Sequence, residues 1–93
     1  MIASFGDRDT ELLAQGIRVA RFHAFERVAL RKLRQLQVAV SLDDLRRPPG
    51  NRLEALRGDR VGQHSIRIND QYRVCFTWVG DAAYGVEIVD YHH

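Results

Sequence analysis

The sequence predicts an α+β domain in which two N-terminal helices pack on a small, mostly antiparallel sheet. Three observations predict it. A capped segment and a long apolar stripe at helical spacing occupy the first part of the chain. Three segments after Gly62 alternate apolar and polar residues. The length of 93 residues leaves room for one core and a single domain, 1–93.

Met1 to Phe5 is short and apolar and is expected to form a first strand. Asp7 can cap a short helix, with Asp9 and Glu11 in the favourable first turn and Gly16 as its stop. A second helix is expected from about Val19 to Val40. Its residues Phe22, Phe25, Ala29, Leu33, Leu36 and Val40 step by three and four, which lines them on one face. Arg27, Arg31 and Arg34 fall on another side, either as a solvated face or as a docking face for RNA or an acidic partner. Ser41 to Asp44 resembles a capping box with Asp in place of the usual Glu. The turn it opens should end at Pro48-Pro49-Gly50. Residues 46–60 read as an irregular basic connection, with Arg46, Arg47, Arg52, Arg57 and Arg60 against Glu54 and Asp59.

The strands can be registered by their alternation. His64, Ile66 and Ile68 share one face, and Tyr72, Val74, Phe76 and Trp78 share the next. Matching them requires the loop Asn69-Asp70-Gln71, because a slip by one residue would turn every apolar side chain to solvent. The same rule pairs Trp78 with Tyr84, Phe76 with Val86 and Val74 with Ile88 across a loop of Gly80-Asp81-Ala82.

Composition is that of an ordinary globular chain, 45% hydrophobic and 28% charged. Net charge is +2, but residues 1–60 hold twelve cations and eight anions, and residues 61–93 hold two and four. Thirteen of the fourteen cations are arginine. Its planar fork grips phosphate, although a preference for arginine codons gives the same count. The single cysteine, Cys75, excludes an internal disulfide and favours a reducing, cytoplasmic setting. No leader and no membrane-length apolar run is visible.

This register places Arg67 across from Arg73 on the polar face, with Gln63, Ser65, Cys75 and Thr77. Glu87 and Tyr91 join from the last strand, about 7–8 Å from Arg73 on the diagonal. Directly opposed arginines repel, and an anion such as phosphate between them would reverse that sign. Alternatively, Glu87 neutralises one and water the other. RNA can be cut by side chains alone if a base takes the 2′-hydroxyl proton, a cation stabilises the phosphate and an acid protonates the leaving oxygen. Glu54, Tyr91 and His92 are the candidates for proton transfer. Each has a plainer reading: Glu54 can pair with Arg57 or Arg52, Tyr91 can be a strand-end residue, and His92 can fray. His23 reads as a helix-surface residue and His64 as a satisfied core or rim histidine. No ligand spacing for a metal, no phosphate-cradling glycine loop and no nucleophile elbow is present, so no cofactor is expected.

The segments LEALRGDRVGQHSIRINDQYRVCF and VEIVDYH resemble the HigB group of bacterial type II toxins, within the RelE/ParE superfamily. The likeness extends over essentially the whole chain. It rests on the joint occurrence of the Gly-Asp-Arg loop, the Tyr-Arg-Val strand and the Asp-Tyr-His end. The resemblance implies a metal-independent endoribonuclease that cuts mRNA in the A site of the 30S ribosomal subunit. It implies a HigA-like helix-turn-helix antitoxin as inhibitor, with operator DNA reached only through that antitoxin, and no membrane. By position, Arg73 would be the transition-state arginine, and Asp90, Tyr91 and His92 would supply orientation and proton transfer. Several relatives carry a histidine where this chain has Glu54, which could replace it as base. Arg67, Arg57, Arg60, Arg27, Arg31 and Arg34 would contact RNA.

Two other functions stay open on the same scaffold. One is a ParE-like inhibitor of DNA gyrase that cuts no RNA. The other is a partner-binding module with a weakened site.

Overall fold

The computed structural model of the protein describes residues 1–91, so His92 lies outside the described residues. Helix α1 runs over Arg8–Ala14. It begins as expected at Asp7, whose carboxylate accepts the Thr10 N–H at 2.7 Å. It stops just before Gly16, which has a φ of +86°.

The long helix is shorter than its apolar stripe. Ala20–Phe25 winds as a tighter 3₁₀ stretch, and α2 proper spans Glu26–Val38. Residues three apart eclipse in a 3₁₀ turn, which brings Phe22 and Phe25 within 5.8 Å, ring to ring. Phe25 in turn stacks on Tyr72 at 4.3 Å. Val40, expected in the core, is 71% exposed, and Ala39 is buried instead. The helix has already ended, and Ala39 is extended (φ −67°, ψ 136°), so helical spacing no longer holds. The Asp44 carboxylate accepts the N–H groups of Val40 (2.9 Å) and Ser41 (3.1 Å), opening the turn Leu42–Leu45.

The sheet is an antiparallel meander of four strands: β1 (Glu54–Ala55), β2 (His64–Arg67), β3 (Tyr72–Val79) and β4 (Ala82–Asp90). Strand β1 corrects the reading of 46–60 as wholly irregular: Glu54 pairs with Ser65 and Ala55 with His64. Residues 1–5 run parallel to β4 through isolated bridges, Ile2 to Ala83 and Phe5 to Val86, rather than as a full strand. The Thr10 hydroxyl takes the Ile88 N–H at 3.0 Å. Together they cover the outer edge of β4, which would otherwise offer unpaired backbone to another chain.

Between β2 and β3 the register is the expected one, including Arg67 against Arg73. Between β3 and β4 it holds through Val74–Ile88 and Cys75–Glu87 but not beyond. Trp78 pairs with Ala83, and Thr77 with Tyr84. The turn is the two residues Gly80-Asp81, and the extra residue is absorbed where Phe76 faces both Gly85 and Val86. Gly85 has a φ of +61°, the conformation of a glycine bulge. The bulge sends Tyr84 to solvent, 44% exposed, instead of to the core face. Phe22, Ala29, Leu33 and Leu36 fill the space between helix and sheet against Ile66, Val74, Phe76 and Ile88.

Candidate functional site

The polar face of the sheet is organised by register. Glu54, Ser65, Cys75 and Glu87 stand side by side across the four strands. Ser65 and Cys75 are fully buried beneath the longer side chains. One step along, the facing arginines part company. Arg67 pairs with Asp70 in the hairpin loop, and Arg73 turns toward β1. Each arginine thus has its own protein partner, Asp70 for Arg67 and Glu54 for Arg73, which relieves the repulsion between them.

Arg73 is the most constrained of the site's cations, its side chain only 13% exposed. Its Nε donates to Ser65 Oγ at 2.6 Å, and Nη2 donates to the Arg52 carbonyl at 2.7 Å. Glu54 Oε1 lies 3.8 Å from Nε. Thus Glu54 faces Arg73, not Arg57 or Arg52. Among the described residues no acceptor meets Nη1 of Arg73, so one edge of an oriented guanidinium remains for an anion. Arg52 itself is left-handed (φ 45°, ψ 54°), a conformation that aims its carbonyl at Arg73.

Tyr91 follows directly after β4, its N–H donating to the Gln71 carbonyl at 2.5 Å. Its phenol oxygen accepts from the Cys75 thiol at 3.8 Å. Burial, then the Cys75 neighbour, pushes the Tyr91 phenol up, while Arg60 and Arg73 pull it down less. Burial likewise raises the Cys75 thiol. Both groups therefore keep their protons at neutral pH, and the phenol can act as a donor. Glu54, Ala55, Leu56, Arg57 and Tyr91 line an open cleft of about 420 Å³.

The other expected residues are placed less uniformly. Arg60 donates to Gln63 Oε1 and Glu87 Oε1, both at 3.0 Å, so Glu87 neutralises Arg60 and not one of the facing pair. The carboxylate of Glu87 rests over Gly6, where a Cβ would overlap Glu87 Oε2. Asp90 accepts from the Gln71 amide at 3.1 Å and alternates to the side of the strand away from Tyr91. Arg27, Arg31 and Arg34 are exposed on α2, and α2 covers the apolar face of the sheet. They are thus separated from Arg73 by the core. His64 is a half-buried rim histidine stacked on Phe76, but its buried Nδ1 has no hydrogen-bond partner among the described residues, so the expectation of a satisfied histidine is corrected.

The anchors of Arg73 are what sequence reasoning missed. Ser65 shared its predicted face, but the carbonyl of Arg52 had no signal, since arginine is not a residue that marks a left-handed turn.

No helix among the described residues is long and apolar enough to cross a membrane. The toxin HigB-1 of Vibrio cholerae serotype O1 is 48% identical over 60 residues, covering 64% of this chain and 63% of that protein. An uncharacterized protein of Haemophilus influenzae is 38% identical over 52 residues, 56% of this chain and 52% of its own length. The matches thus span less than two thirds of both relatives. In fold, the chain is similar to the Staphylococcus aureus YoeB–YefM complex, with a TM-score of 0.56 at 17% identity over 100% of this chain and 99% of that one. It is also similar to the YoeB dimer of that organism, with a TM-score of 0.55 at 19% identity over 97% and 94%. The family model described as the RelE-like toxin of the type II toxin–antitoxin system HigB matches residues 16–92. On that match, the chain belongs to the HigB-like family of RelE-type toxins.

Proposed function

We propose that this toxin is a ribosome-dependent endoribonuclease that cuts mRNA in the A site, without a metal, and is restrained by a HigA-like helix-turn-helix antitoxin. Operator DNA is then reached through the antitoxin alone. The observation that carries the reading is the oriented Arg73 guanidinium beside Glu54, next to a cleft lined by Glu54 and Tyr91. A pure binding surface has no need of a cation held this rigidly by a serine and a backbone carbonyl.

In this reading the 2′-oxygen attacks the adjacent phosphorus and gives up its proton to Glu54. Negative charge accumulates on the phosphoryl oxygens, and Arg73 stabilises it from its free edge. The bond from phosphorus to the 5′-oxygen breaks, and Tyr91 or His92 protonates that oxygen. The products are a 2′,3′-cyclic phosphate and a 5′-hydroxyl. Arg73 is fixed before the substrate arrives, so little reorganisation is needed as charge develops. Arg57 at the cleft, and Arg67 and Arg60 on the same face, would hold flanking phosphates.

The test is primer extension on a defined mRNA in a purified translation system, with wild-type protein and Arg73→Ala, each with and without ribosomes. Cuts within A-site codons are expected only with ribosomes and only with Arg73 present, a loss of roughly 100-fold or more. Cutting by Arg73→Ala at the wild-type rate would remove this site from the reaction. A metal carried by the purified toxin, whose removal before ribosomes are added abolishes cutting, would remove the metal-free mechanism. Growth arrest without any cut would point to gyrase or another bound target.

A further inference from the structure

The chain has thirteen arginines and one lysine, and that lysine is the only buried cation among the described residues. Lys32 sits on α2, 6% exposed, with its Nζ donating to Asn51 Oδ1 at 2.5 Å. Asn51 is fully buried, and its amide nitrogen donates to Gln35 Oε1 (2.9 Å) and to the Leu45 carbonyl (3.1 Å). Its own N–H donates to the Pro48 carbonyl at 3.0 Å. The next residue is Arg52, the only non-glycine with positive φ among the described residues. Its carbonyl receives Arg73, and Glu54 begins two residues later.

We propose that Lys32 and Asn51 are positioning residues for the catalytic face: they lock the connection so that Arg52 stays left-handed and both its carbonyl and Glu54 meet Arg73. The proposal rests on the ribonuclease reading for its effect on activity, but not for its effect on structure. A buried ammonium with a neutral amide partner is a poor choice for stability alone. Burial, then Arg31 and Arg67, lowers the Lys32 pKa, so the site holds this charge at a cost. The ammonium lies close under Gly50, where an added Cβ would be 3.9 Å from Nζ. The Asn51 side chain bonds two residues of α2, Lys32 and Gln35, and the Leu45 carbonyl, so the connection is held to the helix one residue before the strained position. Helix α2, on the apolar side of the sheet, is thereby tied to the site on the polar side.

The test compares Asn51→Ala and Lys32→Met, each with Arg52 and with Arg52→Gly. A positive φ brings the amide and α protons of a residue together, which gives a strong intraresidue NOE at Arg52. Both variants should weaken that NOE and shift the Arg73 guanidinium signals. Cleavage should fall by roughly tenfold to a hundredfold. In the Arg52→Gly background the same substitutions should cost less, because glycine takes the left-handed conformation without a clamp. Melting temperature and circular dichroism check that each protein is folded, and Lys32→Met carries the test if Asn51→Ala is not. An unchanged Arg52 NOE, or equal losses in both backgrounds, would overturn the proposal. If wild-type protein cuts no RNA at all, the ribonuclease reading fails, and the clamp is decided by the NOE alone.

Discussion

At the scale of single residues, the site depends on saturation of donors and acceptors more than on charge. Arg73 is directed by one hydroxyl and one carbonyl, and Glu54 at 3.8 Å adds an attraction without a hydrogen bond. Asp44 shows the same economy at the start of a turn. Two backbone N–H groups, from Val40 and then Ser41, hold its carboxyl below the ordinary 3.8. The folded state therefore binds this proton less readily than the unfolded one. The stabilisation is present above 3.8 and is lost as pH falls through the lowered value. Asp44→Asn should melt below the wild type at neutral pH, and the gap should close on acidification. A gap independent of pH would show that the cap acts through shape and not through charge.

At the scale of elements, the hairpin of β3 and β4 is set by a bulge rather than by its loop. A Cβ on Gly85 would meet nothing within 4 Å, so a substitution there tests the backbone alone. Gly85→Ala is expected to cost about 1–2 kcal/mol, the penalty of a left-handed L-residue. That lowers the melting temperature by roughly 4–8 °C per kcal/mol in a domain of this size. Unaltered melting would mean that the strands reach their register without the bulge. The consequence for the site is direct. Register is kept at Cys75–Glu87 and Val74–Ile88, below the bulge, so the polar row is unaffected while Tyr84 is turned to solvent.

At the scale of the whole molecule, the two basic regions lie on different sides of the core. Arg73 and its neighbours occupy the polar sheet face. Arg27, Arg31 and Arg34 project from α2 with no carboxylate paired to them among the described residues. A toxin working inside a ribosome would be surrounded by phosphate, and separate faces would let it hold ribosomal RNA and substrate together. Replacing any one of the three α2 arginines with glutamine should weaken ribosome binding and reduce the salt slope of log K by about 0.7–0.9. Variants that bind with the salt slope of the wild type would exclude this stripe as a ribosomal dock and leave it to the antitoxin.

Local rules in the sequence were enough for much of this. The N-caps at Asp7 and Ser41–Asp44, the inward stripe from Phe22 to Leu36 and the shared polar face of Ser65, Arg67, Arg73 and Tyr91 follow from periods of 3.6 and 2 and from short-range capping. The strand at Glu54 lay inside a segment read as irregular, because a two-residue strand is too short to show alternation. Only the tertiary structure decided that Glu54 faces Arg73, that Arg67 leaves Arg73 for Asp70, and that Arg52 turns left-handed to present its carbonyl. Those outcomes depend on pairing between distant segments and on a backbone conformation that no side chain announces. The residue types for the chemistry are thus written along the chain, whereas their meeting is settled by the connection that Lys32 and Asn51 hold against α2.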